Sequence, residues 1–165
     1  MRYLKHKPIL DESVINLGAD IVGDVTIGKD VNLWFNVTVR GDMASINIGE
    51  GTNIQDSAVV HVNTDAPTVI GKMVTVGHSA IIHAATIGDY SLIGMGSIIL
   101  DKAVVCEYAM VAAGTLVPPG KVVPPKTLVM GNPMRIVREL SEKEIEANIE
   151  NSRNYIRLAK AYEND

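Results

Sequence analysis

Cysteine, aromatic residues and surplus positive charge are all scarce in this chain of 165 residues. A single cysteine, Cys106, rules out an intramolecular disulfide and removes every cysteine-based zinc motif from consideration. It follows an aliphatic, Val105, and reads as a small packed or surface thiol. Aromatics make up only 4% of the residues, with one tryptophan and one phenylalanine, so the core must be filled by other side chains. The formal net charge is −4, and no basic stripe interrupts it, which excludes nucleic acid as a natural partner. No segment approaches the ~20 apolar residues needed to cross a bilayer, and the amino terminus has no long apolar run. A cytoplasmic protein without a membrane partner is therefore expected.

What the chain has in quantity is valine, isoleucine and glycine, arranged with a period of six. Aliphatics recur at Ile21, Ile27, Leu33 and Val39, then at Ile48, Ile54 and Val60, then at Ile70, Val76 and Ile82. A last register runs through Ile87, Ile93, Ile99, Val105, Val111 and Val117. Glycine follows the aliphatic at Gly28, Gly49, Gly71, Gly77, Gly88 and Gly94, as expected of a backbone that turns a corner every few residues. Neither a helical nor a simple alternating period accounts for this. One short strand plus one corner fits six residues, so three units close a triangular coil. A single coil cannot bury its own face, and stability must come from stacking. The pattern resembles the hexapeptide-repeat proteins, a resemblance that implies an all-β fold, a left-handed parallel β-helix.

After Val117 the composition changes. Pro118, Pro119, Pro124 and Pro125 punctuate a turn-rich stretch, and Gly131 to Val137 reads as an extended strap. Ser141 with Glu144 makes a capping box, and Ile145, Ile149, Ser152, Ile156 and Ala159 follow at helical spacing. An amphipathic C-terminal α-helix packed on the flank of the prism is expected. A single domain, 1–165, is predicted, with the coil over about 10–123, the strap over 124–139 and the helix over 140–163.

The register places the histidines. Val60 to Ile82 is twenty-two residues, four more than a coil of eighteen, and Thr64 to Pro67 supplies the excess. Val39 to Val60 is twenty-one, with the extra three around Met43 to Ser45. Val39, Val60 and Ile82 then stack on one flat, placing Arg40, His61 and His83 in one outward column. Strands about 4.8 Å apart let two imidazoles share one ion. Leu33, Ile54 and Val76 stack on the preceding flat, so Phe35, Asp56 and His78 form a second column that faces elsewhere. One chain therefore does not close a three-histidine site. A cyclic trimer would, by bringing His78 of one chain to His61 and His83 of its neighbour. Three neutral imidazoles with a position left open describe a catalytic metal that activates water.

These phrases carry a family resemblance. Arg40 to Asp42 (RGD), Asn53 to Asp56 (NIQD), His61, and His78 with His83 closely resemble the γ-class carbonic anhydrases and their bacterial and archaeal short-loop relatives, over nearly the whole chain. The resemblance implies a homotrimer with metal sites at subunit interfaces, the ligands being His61, His78 and His83. The cofactor would be a divalent metal, zinc first and iron(II) or cobalt as alternatives. It implies reversible hydration of carbon dioxide to bicarbonate, with a hydrogen bond between Gln55 and the reacting water, donated or accepted. Asn53 matches a position near the pocket, and Tyr155 matches a helix tyrosine that approaches it. Arg40, Asp42 and Asp56 match residues whose ion pairs brace the interface.

The chain also departs from that pattern. Met43 stands where the best-studied enzymes carry glutamate after RGD, and a short VNTDAPT replaces an acidic loop. Slow or conditional proton export is expected, with Asp65 the sole substitute in that loop. His6 has no partner in the motif, and Trp34, beside Leu33, is expected against the helix or a neighbouring chain. Three alternatives stand beside hydration. A hexapeptide-repeat acyltransferase would need one general-base histidine and an acceptor loop; a metal-dependent thioesterase would use the same activated water. A metal-binding assembly subunit would use none.

Overall fold

The short strands of six-residue units form their backbone hydrogen bonds with the coils above and below, while bonds such as Ala58 N–H to the Gln55 carbonyl (3.1 Å) close the corners within a coil. A computed structural model describes residues 6–163. Short strands wind through about seven turns before one helix, Glu142–Glu163. The first flat carries Val59–His61, Ile81–His83, Ile98–Ile99 and Leu116–Val117. Thr68–Ile70, Thr86–Ile87, Val104–Val105 and Val122–Val123 make the second. Asn32–Leu33, Asn53–Ile54, Thr75–Val76, Leu92–Ile93 and Met110–Val111 belong to the third. Two long strands, Asp20–Ile27 and Thr38–Ile48, bend around a corner and join the first two flats into one eleven-stranded sheet.

The ladder follows one rule at these positions: the N–H after a buried aliphatic donates to the carbonyl of the aliphatic one coil further on. Gln55 reaches Val76 at 2.9 Å, Gly77 reaches Ile93 at 2.8 Å, Leu100 reaches Val117 at 3.1 Å and Cys106 reaches Val123 at 3.0 Å. The aliphatics of all the repeat registers fall in one continuous core, with Ile21 at its partly buried end. Both insertions sit at the corner between the first and second flats. Asp42 to Ser45 bulge where only Asp24 lies on the preceding strand. Asn63 and Ala66 exchange backbone hydrogen bonds of 3.1 and 3.0 Å, leaving Thr64 and Asp65 at an exposed tip.

The glycines correct one expectation. None of the six that follow an aliphatic has a positive φ, so they do not supply the corners' unusual backbone. Asn36, Ser57 and Ser79 adopt left-handed conformations at one corner, as Gly96 and Gly114 do. The repeat glycines are instead required by proximity: a Cβ on Gly88 would lie 2.5 Å from the Glu107 nitrogen of the next coil.

The coil runs beyond its expected end near residue 123. Thr127–Met130 continues the third flat, since Val129 lies in register with Val111. Arg135–Glu139 then doubles back antiparallel to it, so the expected strap ends as an edge strand of the third flat. Ser141 caps the helix: its N–H donates to Glu144 Oε2 at 2.9 Å, and the Glu144 N–H returns to its hydroxyl at 3.4 Å. Ile145, Ser152 and Ala159 are buried at intervals of two turns, and the helix lies along the third flat. Leu128 and Leu140 receive Ile145 at one end; Ile15 and Trp34 receive Ala159 at the other. No helix among the described residues is long and apolar enough to cross a membrane.

Two stability outcomes follow. Gly88→Ala should lower the urea-unfolding free energy by about 1–3 kcal/mol, because backbone blocks the new methyl. Gly96→Asn, at an open corner with φ of 65°, should change it by under about 0.5 kcal/mol. At the helix cap, hydrogen bonds from Arg138 and then Ser141 hold the Glu144 carboxyl at about 2. A folded pKa below the unfolded one stabilises fully above about pH 4.5, and that contribution is lost as pH falls toward 2. Glu144→Gln should therefore flatten that part of the acid-induced fall in the unfolding midpoint, followed by far-UV circular dichroism.

Candidate metal centre

Coil register alone brings His61 and His83 together. Arg40, His61 and His83 pair across adjacent strands, and the two imidazole centroids lie 5.1 Å apart. His83 Nδ1 donates to Asp101 Oδ1 at 2.6 Å. A carboxylate only accepts, so the proton sits on Nδ1 and Nε2 keeps its lone pair outward. His61 turns Nε2 to Asp42 Oδ1 at 2.9 Å, and Asp42 is also paired with Arg40. Asp42 can thus release His61 and keep a partner.

Asp101 was not among the sequence candidates, although the signal was there. Extending the register by one coil pairs Ile82 with Ile99, which puts Asp101 at the corner just past the histidine column. Hydrogen bonds from Asn63 and then His83 hold its carboxyl below the ordinary aspartate range. Burial raises the Asp42 carboxyl, but the His61 bond, its own backbone N–H and Arg40 together bring it below its usual value. Both carboxylates are therefore ionised at neutral pH and orient the rings they touch.

His78 stands on the other edge of the first flat. The Ser79 N–H bonds to Asp56 as that of Ser57 bonds to Phe35, so Phe35, Asp56 and His78 occupy equivalent places in successive coils. His78 Nδ1 lies 2.9 Å from Asp56 Oδ2. Asp56 thus meets a histidine within its own chain. Between the two histidine edges runs an apolar column, Val59, Ile81, Ile98 and Leu116, with Met95 exposed beside it. Among the described residues no three His, Cys, Asp or Glu side chains of one chain group into a metal site. The donors nevertheless suit a borderline divalent ion: imidazoles, two of them backed on Nδ1 by carboxylates, are the usual partners of such ions.

Gln55 and His78 both line a groove of about 380 Å³ between the third flat and the helix, with Asn151 and Tyr155 on its helix side. Gln55 Nε2 donates to Asn53 Oδ1 at 3.1 Å, which leaves Oε1 for the groove. Asn53 is fully buried and donates to Thr75 Oγ1 at 2.9 Å. Tyr155 packs edge-on against Trp34 at 5.6 Å; burial and then the Asp56 charge push its phenol up, so it carries its proton at neutral pH. Trp34 is buried against the helix and donates from Nε1 to Asn32. His6 and Asp65 are exposed, and Met43 is exposed beside Thr64. Cys106 is half-buried, its thiol pushed up by burial and then by Glu107.

A stacked coil with a side helix, bearing histidines on two edges of one flat, defines a hexapeptide-repeat β-helix protein. No family model matches the chain. A probable carbonic anhydrase of Methanocaldococcus jannaschii is 53% identical over 146 residues, covering 88% of this chain and 92% of that protein. Mitochondrial gamma carbonic anhydrase 2 of Arabidopsis thaliana is 40% identical over 98% of this chain and 61% of its own length. The crystal structure of a hexapeptide transferase family protein from Anaplasma phagocytophilum superposes with a TM-score of 0.91 at 46% identity, over 94% of this chain and 92% of the other. The chain belongs to the γ-class carbonic anhydrase-like family of hexapeptide-repeat proteins, a family of enzymes.

Elemental analysis of purified variants tests the histidine set. Alanine at His61, His78 or His83 should each lower divalent-metal content sharply, whereas His6→Ala should leave it at the parent level. Equal content in all four variants would mean that the three are structural.

Proposed function

We propose that the protein catalyses the reversible hydration of carbon dioxide to bicarbonate, as a homotrimer with a divalent metal, zinc foremost, held at each subunit interface. The observation that carries this reading is the placement of His61 over His83 on one edge of an apolar flat and His78 on the opposite edge. The sequence identity to a probable carbonic anhydrase supports it. In a threefold assembly the apolar column is covered by the neighbour, and the two histidine edges meet there. Such an ion supplies Lewis acidity, which makes water acidic enough to lose a proton near neutral pH. Iron(II) or cobalt would serve the same donors. The lone thiol supports a reducing, cytoplasmic setting.

The chain's own residues then do the rest. Gln55 offers Oε1 as an acceptor, turning the reacting water so that a lone pair faces the carbon. Asn53 holds that amide in place. Asp101 and Asp56 keep the protons of His83 and His78 on Nδ1, and Arg40 holds Asp42 at the edge of the site. Tyr155 closes one wall with a protonated phenol, which can donate or accept. Hydration also releases a proton, and here the chain is poorly equipped: Met43 is apolar and Asp65 lies at an exposed tip. Dissolved buffer is the route that remains.

The transferase naming of the Anaplasma structure favours a group-transfer reading, acyl transfer among the alternatives, since that structure superposes over 94% of this chain. Acyl transfer needs one basic histidine; it has no use for three imidazoles, two of them backed on Nδ1 by carboxylates. Carbon dioxide hydration assayed on each metallated form decides the matter. Turnover should rise with imidazole concentration, and light scattering should give a trimer. Gln55→Ala should lower kcat/KM about 5–10-fold at unchanged metal content. A fully metallated parent without hydration at any buffer concentration would remove this reading and leave a thioesterase or an assembly subunit; a metal-replete monomer would remove the interfacial site.

A further inference from the structure

Ser152 is an unexpected side chain for its place. It is buried in the middle of the helix, at the same face as Ile145 and Ala159, where a serine is a weak helix former and an unpaired hydroxyl is costly. Its Oγ lies 2.8 Å from the Met73 carbonyl and 3.1 Å from Thr75 Oγ1. A backbone carbonyl only accepts, so the single Ser152 proton is committed to Met73. Toward Thr75 the serine oxygen can then only accept, and Thr75 must donate its own single proton there.

The constraint passes on. Having donated to Ser152, Thr75 Oγ1 can only accept from Asn53 Nδ2 at 2.9 Å and Asn151 Nδ2 at 3.2 Å. The Asn53 nitrogen is thereby fixed on the Thr75 side, with the Val74 carbonyl at 3.4 Å acting weakly in the same sense. Only Asn53 Oδ1 remains for Gln55, so Gln55 meets it with Nε2 and shows Oε1 to the groove. We infer that Ser152 is a positioning residue: from the helix, through Thr75 and Asn53, it sets which end of the Gln55 amide faces the reacting water. The inference rests on the proposed hydration only for its kinetic consequence. Without the serine hydroxyl, Thr75 is free to donate to Asn53 Oδ1. Asn53 and Gln55 can then turn over together, presenting N–H where an acceptor is required.

Gln55 is the only glutamine in the chain, so zinc-loaded protein labelled with ¹⁵N in glutamine side chains gives a single amide NH₂ pair. The parent and Ser152→Thr, which keeps the hydroxyl, should each show one pair. Ser152→Ala and Thr75→Val should each show a second pair or a displaced one. In the hydration assay Ser152→Ala should lower kcat about five-fold with KM and metal content unchanged, and should cause no further loss in a Gln55→Ala background. An unmoved amide pair in both variants, or an equal kcat loss in both backgrounds, would overturn the inference. A displaced amide pair in both variants, with a metal-loaded parent that lacks hydration activity, would uphold the positioning role and overturn the functional reading instead.

Discussion

Parallel pairing between coils, in register and at a fixed spacing of about 4.8 Å, is the constraint on which everything else in this molecule depends. Residues one coil apart do not choose their separation; the backbone ladder chooses it for them. His61 and His83 are close because Val60 and Ile82 are stacked, and those are stacked because the N–H groups of each short strand bond to the strand of the next coil. The same ladder keeps His78 away from them, on a different edge of the prism. Rigid coils therefore preset half of the proposed site within one chain and leave the other half to a neighbour.

The helix is attached to this scaffold by two kinds of contact. Its ends are apolar, with Ile145 against Leu128 and Ala159 against Trp34, and these contacts carry most of the stabilisation that burial provides. Its middle is polar and directional. Burying Asn53, Thr75 and Ser152 is tolerable only because each hydrogen bonds to the next, ending at a carbonyl that accepts and cannot donate. An apolar seam would hold the helix as well, but it would carry no information about which way an amide points.

Much of this was readable from residue spacing. The four aliphatic registers, both insertions, the columns containing His61 with His83 and Asp56 with His78, and the Ser141 cap all follow from counting, because a solenoid converts sequence distance into position. What escaped was whatever depends on atoms and not on register. The repeat glycines looked like corner residues, yet the corners are taken by Asn36, Ser57 and Ser79, and the glycines answer to the closeness of the next coil. Asp101 was missed because an aspartate after Leu100 has no distinguishing neighbour until the coil is wound. Ser152 appeared only as a member of the helix stripe, since periodicity cannot tell a hydroxyl that fills space from one that directs protons.

The way the coil stops bears on the molecule's behaviour at high concentration. In each coil the residue after a buried aliphatic supplies the N–H that holds the next strand. In the last coil those residues on the first and second flats are Pro118 and Pro124, which have no N–H to give. On the third flat, the antiparallel strand Arg135–Glu139 occupies the edge instead. A stack of identical rungs is otherwise an invitation to end-to-end growth, each molecule templating another as fibrils do. Two prolines and one reversed strand make this rod finite.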